Sequence, residues 1–128
     1  LDTCGNVILE GARFARLREH AQNPDTPEGD PARISLENHL SWVEAVRDWP
    51  IISHIDPLAQ SSILYDAVAV YLAFTDEYLE METLPRTITP DGKALVDEQG
   101  SPVSCALEWK DKEAFLDLLA DRRVGASA

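Results

Sequence analysis

Three arginines, Arg13, Arg16 and Arg18, crowd into ARFARLRE and form the most basic patch of the chain. A guanidinium fork matches phosphate oxygens, so such a cluster suits contact with a nucleic-acid backbone. It suits the acidic face of a neighbouring subunit as well. The whole chain argues for the second partner, because eleven Lys and Arg stand against twenty-three Asp and Glu, a net charge of −12. A field of that sign repels phosphate at long range.

The acidic residues offer two further possibilities. Asp66 interrupts the apolar run ILYDAVAVYLAF, residues 63–74. A carboxylate desolvated inside an apolar helix suits a general base, whereas exposure or an ion pair with an arginine is the plainer reading. Asp76, Glu77, Glu80 and Glu82 crowd into seven residues and suit either a divalent cation or a solvated helix end. His20, His39 and His54 are scattered without a second ligand type at metal spacing, and no GxSxG, phosphate-loop, HExxH or dinucleotide pattern occurs. Catalytic residues, metal ligands, cofactors and a small-molecule substrate are therefore not expected. Cys4 and Cys105 lie about a hundred residues apart and read as free thiols in a reducing compartment rather than a disulfide.

The elements that position these groups read as mainly helical. A chain of 128 residues is one domain by length and buries a core without staples. A first helix is expected over residues 6–22, capped by Asn6, with Val7, Phe14, Leu17 and Ala21 on one face and Gly11 weakening its middle. Residues 23–34 hold Pro24, Pro27 and Pro31 and suit an exposed linker. The chain thus divides into residues 1–34, an N-terminal helix with its linker, and residues 35–128, a helical oligomerisation core, within one domain overall. A second helix starts at Ser35, with Leu36, Leu40, Val43 and Val46 as its stripe, and stops at Pro50.

Asp56-Pro57 is a strong start signal, since Asp caps free amides and Pro fits the first helical position. The helix it opens is expected to reach about residue 82. Residues 83–103 read as non-helical, with a small hairpin in RTITPDGKALV turning at Pro90-Asp91-Gly92. Ser104 opens a last helix that carries a Glu108–Lys112 pair and ends at Arg122 and Arg123, where cations complement the helix dipole. The expected architecture is a small helical bundle with one long central helix and a short hairpin-like insertion before the last helix.

That long helix would be apolar all round over residues 63–74, and a helix of that kind must be surrounded. A domain this small lacks the helices to enclose it. Ile63, Leu64, Ala67, Val70, Tyr71 and Phe74 are therefore expected to face another copy of the chain or a partner. No apolar run approaches the roughly 20 residues that cross a bilayer, and no basic stretch followed by an apolar one marks a signal peptide. A cytoplasmic protein, or a piece of one, is expected.

The order of features from Trp42 onward resembles that of phage terminase small subunits. The pieces are SWVEAVRDWP, then IDPLAQSSILYDAVAVYLAFTDEY, then the glycine-punctuated ITPDGKALVDEQGSPV, then LEWKDKEAFLDLLADRRV, together spanning about residues 36–124. The resemblance implies a non-enzymatic, ring-forming helical subunit. Such a subunit recognises double-stranded packaging-site DNA and presents it to a large ATPase and nuclease subunit, in the host cytoplasm. It would supply neighbouring copies as the missing wall around residues 63–74. The other reading is a small acidic accessory subunit that docks into a larger enzyme or assembly through the same apolar segment.

Overall fold

The computed structural model describes residues 3–50 and 54–125. They form a mixed fold, with four α-helices and a three-stranded antiparallel sheet, which corrects the expectation of a mainly helical bundle. Helix α1 spans Gly11–Gln22 and α2 spans Pro31–Ala45; α3 is a short helix, Ala67–Leu72, and α4 covers Lys112–Arg123. Strands β1 (Leu79–Ile88), β2 (Ala94–Val96) and β3 (Ser101–Trp109) lie in the order β2-β1-β3.

The long central helix does not form, and the competing bonds show why. Asp56 accepts from the amide of Leu58 at 3.0 Å, and the chain makes one turn there. Residues 60–64 are then drawn out against the extended segment before α1. The amide of Ser61 donates to the Leu9 carbonyl at 2.8 Å and that of Leu64 to the Val7 carbonyl at 2.9 Å. The Ser61 hydroxyl receives the amide of Leu9 at 2.9 Å. These partners lie more than fifty residues away, so a tertiary pairing overrides a strong local start signal. The helix resumes only for the six residues of α3.

The last four residues of the expected long helix, 79–82, are strand. In LEMETL the apolar residues fall at 79, 81 and 84, and Leu79 is fully buried while Glu80 and Glu82 are exposed. β3 replaces the first part of the expected last helix, so Glu108 sits on a strand and makes no helical pair with Lys112. Asp111 instead caps α4, its carboxylate accepting from the amide of Ala114 at 2.9 Å. The hairpin about Pro90-Asp91-Gly92 is present, with Arg86, Thr87 and Ile88 opposite Val96, Leu95 and Ala94. In the connection between β2 and β3, a Cβ on Gly100 would stand 2.5 Å from the Arg86 carbonyl carbon and oxygen, so only glycine fits there.

Near the N-terminus Gly11 stands not inside α1 but at its start, with φ +56°. The proline-rich segment is an ordered connection. Thr26 Oγ1 donates to the His20 carbonyl at 2.7 Å, and Arg33 donates to the Thr26 carbonyl at 3.0 Å. Asp30 caps α2 through the amides of Ala32 and Arg33, and Pro31 is its first residue, four positions ahead of Ser35. α2 ends at Ala45, a turn short of Pro50.

One core unites these pieces. Val7, Phe14, Leu17, Leu36, Val68, Leu79, Phe115 and Leu116 belong to a single buried cluster. Around Phe115 the rings of Tyr71 and Trp109 pack at 5.1 and 4.8 Å, arrangements that add to simple burial. No helix among the described residues is long and apolar enough to cross a membrane.

Candidate functional site

Two of the three arginines of α1 meet acids of their own chain. Arg13 Nε donates to Asp117 Oδ1 at 2.6 Å, and its Nη1 to Glu113 Oε2 at 2.8 Å. Arg16 pairs with Asp121, and Arg18 donates to the carbonyl of Leu58. Glu113, Asp117 and Asp121 recur every four residues along α4, so they stand on one face. Bonding to Arg13 holds the Asp117 carboxyl below the usual range, and the same bonds raise the guanidinium of Arg13. Two of the three candidate phosphate contacts therefore fasten α1 to α4. The acidic face weighed for a neighbouring subunit lies on this chain's last helix.

Residues 63–74 are not enclosed, which corrects the expected apolar-all-round helix. Val68 and Tyr71 turn into the core, but Val70 is 59 % exposed and Phe74 82 %. Ile63, Leu64 and Ala67 are half-buried. Together with α4 the segment lines two adjoining hollows. One, of about 380 Å³, is walled by Val70, Tyr71, Phe74, Phe115, Leu118 and Leu119, with Arg122 beside them. The next, of about 410 Å³, is lined by Ile63, Leu64, Ala67 and Leu119, with Asp66 and Arg123 as its charged groups. All six residues expected at an interface thus border one continuous, largely apolar trough. Tyr71 anchors it: its ring stacks on Tyr78 at 5.7 Å, its hydroxyl accepts the Tyr78 amide at 3.3 Å, and burial pushes that hydroxyl's pKa up.

A third cavity, of about 290 Å³, lies between α1, α2 and residues 61–64. Leu9, Phe14, Leu17 and Leu36 contribute buried apolar surface to it, and Trp42, Asn38, Ser62 and Arg123 contribute polar groups. His39 also borders it but has no nitrogen to offer. Its Nδ1 accepts from the amide of Ser62 at 3.1 Å, which leaves the proton on Nε2, 3.0 Å from the Pro57 carbonyl. The ring is held as a strut, edge-on to Phe14 at 5.8 Å.

Arg123 is the residue that the sequence did not single out. Helix-dipole reasoning accounts for a cation at the end of α4, yet this one is half-buried, and burial lowers its pKa. It donates to Ser35 Oγ, and among the described residues no carboxylate pairs with it. No buried side-chain nitrogen lacks a partner among the described residues, and Arg123 lines two of the hollows. No periodicity marks such a residue.

The other candidates fare simply. Asp66 is exposed, so the buried-base reading falls. Glu80 and Glu82 lie on a strand, which dissolves the helical spacing of the acidic cluster, and no three metal-ligating side chains converge among the described residues. His20 bonds Asp30 at 3.1 Å, His54 is exposed, and Cys4 and Cys105 are free thiols. No protein-family model, no curated protein and no solved structure matches the chain.

Proposed function

We propose that this chain is a non-enzymatic assembly adaptor that associates with further copies of itself through the trough between residues 63–74 and α4. The observation that carries the reading is a knob beside a hole. Phe74, 82 % exposed, projects at the rim of an apolar hollow of about 380 Å³. A surface presenting both is self-complementary under a two-fold axis, because each copy inserts its knob into the other's hollow. The charges repeat the pattern, since Arg122 borders the hollow while Asp76 and Glu77 follow the knob. Aromatic anchors filling apolar pockets are the usual centres of binding energy in interfaces.

Self-association is also what the terminase-like layout implies, there as a ring that would be built from two-fold pairs and a second contact, and a DNA-packaging adaptor is the specific form of the proposal. Its DNA component rests on less. Contact through Arg13 and Arg16 requires breaking their pairs with Glu113, Asp117 and Asp121.

Light scattering across a concentration series tests the assembly reading. The wild-type protein is expected to be a discrete multimer. Val70→Glu combined with Phe74→Glu is expected to yield a folded monomer, since both side chains are exposed in the single chain. A wild-type monomer at every concentration overturns the proposal. Retention on duplex DNA at low salt, lost in Arg16→Ala with Arg18→Ala, tests the DNA component separately. Its absence removes DNA while leaving self-association standing.

A further inference from the structure

The cavity of about 290 Å³ shares no residue with the hollow beside Phe74, while Leu64 and Arg123 border both it and the adjoining hollow of the trough. Its volume lies near the lower end for small-molecule sites, roughly 300–1,000 Å³. Its chemistry is one-sided. In a chain with twenty-three acids, none of the described residues lining it is acidic, and one of them is the half-buried Arg123. Among the described residues the Asn38 amide and the Trp42 indole N–H are unengaged and the Arg123 fork bonds Ser35 through one nitrogen, so the polar groups around it are chiefly donors. Opposite them stands an apolar floor.

We infer that this cavity binds a small organic monocarboxylate with an apolar body, its carboxylate on Arg123 and its hydrocarbon over Leu9, Phe14, Leu17 and Leu36. A cationic ligand meets like charge, and a neutral one leaves a half-buried guanidinium without a counter-charge, which is the costly arrangement. A guanidinium fork accepts a carboxylate through two parallel bonds. One such fork with a hydrocarbon floor suits a monoanion better than a phosphate, whose second charge finds no further cation among the lining residues. Ser35, already bonded to both the Pro31 carbonyl and Arg123, holds the fork in place. His39, with both nitrogens on main-chain groups, supplies shape and no proton, so the site binds rather than catalyses.

Octanoate is the probe, titrated into the full-length chain while the amide and indole resonances are followed by NMR. Saturable shifts are expected at Trp42, Asn38 and Ser62. Octanol at equal concentration is expected to bind at least tenfold more weakly, as is octanoate to a folded Arg123→Met variant, the size of effect that losing a hydrogen bond to a charged group produces. Because Arg123→Met also frees Ser35, a second variant, Ser62→Phe, obstructs the cavity while sparing the guanidinium and is expected to abolish the shifts. The monomeric Val70→Glu, Phe74→Glu variant is expected to bind octanoate unchanged, which separates this site from the assembly surface. Absence of a saturable shift at Trp42 in the wild type, or equal affinity in Arg123→Met, overturns the inference.

Discussion

His39→Leu tests whether a tertiary strut holds residues 54–62 away from helix. The buried imidazole bridges two main-chain groups of that segment, the Pro57 carbonyl at 3.0 Å and the Ser62 amide at 3.1 Å, from a helix about twenty residues upstream. Leucine keeps the bulk and removes both bonds. An unpartnered buried polar group costs about 1–3 kcal/mol. Pro57 and Ser62 are half-buried, so water reaches them in part and the lower end of that range applies to each. The edge contact with Phe14 adds about 0.5–1 kcal/mol, partly regained by the leucine. The expected loss is about 2–3 kcal/mol, a large share of a total stability of order 5–15 kcal/mol. With a urea slope of about 1.5–2 kcal/mol per molar, the midpoint falls by roughly 1–2 M. His39→Gln, which carries both a donor and an acceptor, is expected to regain part of it. Hydrogen exchange at the Ser62 amide is expected to quicken in His39→Leu. A midpoint within about 0.3 M of wild type, or an unchanged Ser62 amide, refutes the strut.

Gly100→Ala drives a methyl to 2.5 Å from the Arg86 main chain, and is expected to cost about 1–3 kcal/mol, read as a lower thermal midpoint. An unchanged midpoint means that the β1–β3 register shifts there at no cost. Glu80 stands directly opposite Glu108 across the two strands, so Glu108→Lys turns a repulsive pair into an attractive one. A gain of about 0.5–1 kcal/mol is expected in urea unfolding at low salt, shrinking as salt rises. The Asp30 carboxyl is held below its ordinary value first by His20, with burial opposing and the amides of Ala32 and Arg33 assisting. A depressed folded value means that the stabilisation is present above the unfolded value of about 3.9 and is lost as pH falls through the folded one. Asp30→Asn, itself a good helix cap, is therefore expected to flatten the loss of stability as pH falls below about 4, in urea midpoints measured from neutral pH down through that window. An acid limb as steep as in wild type refutes the assignment.

Local signals read correctly where nothing distant opposed them. The apolar spacing of Phe14, Leu17 and Ala21 places α1's buried face, and Pro90-Asp91-Gly92 turns the hairpin. Pro31 suits a linker by composition, but a proline after an Asp is also a helix start, and the structure uses it as one. The alternation in LEMETL was legible as strand. It was hidden because Asp56-Pro57 and the apolar run upstream made one long helix the simpler account.

What the sequence determined by itself, then, was composition and short-range order: an acidic chain, two helices flanking a proline-rich connection, a tight turn, and an apolar segment around Val70 and Phe74 that its own neighbours do not fully cover. Tertiary structure decided which partners win. Ser61 and Leu64 bond Leu9 and Val7 instead of continuing a helix. Arg13 and Arg16 find Glu113, Asp117 and Asp121 a hundred residues on, while Arg123 finds, among the described residues, a hydroxyl and no carboxylate. Hydrogen bonds and ion pairs act over a few ångströms in space regardless of separation along the chain. Periodicity, which looks only a few residues ahead, carries no record of them.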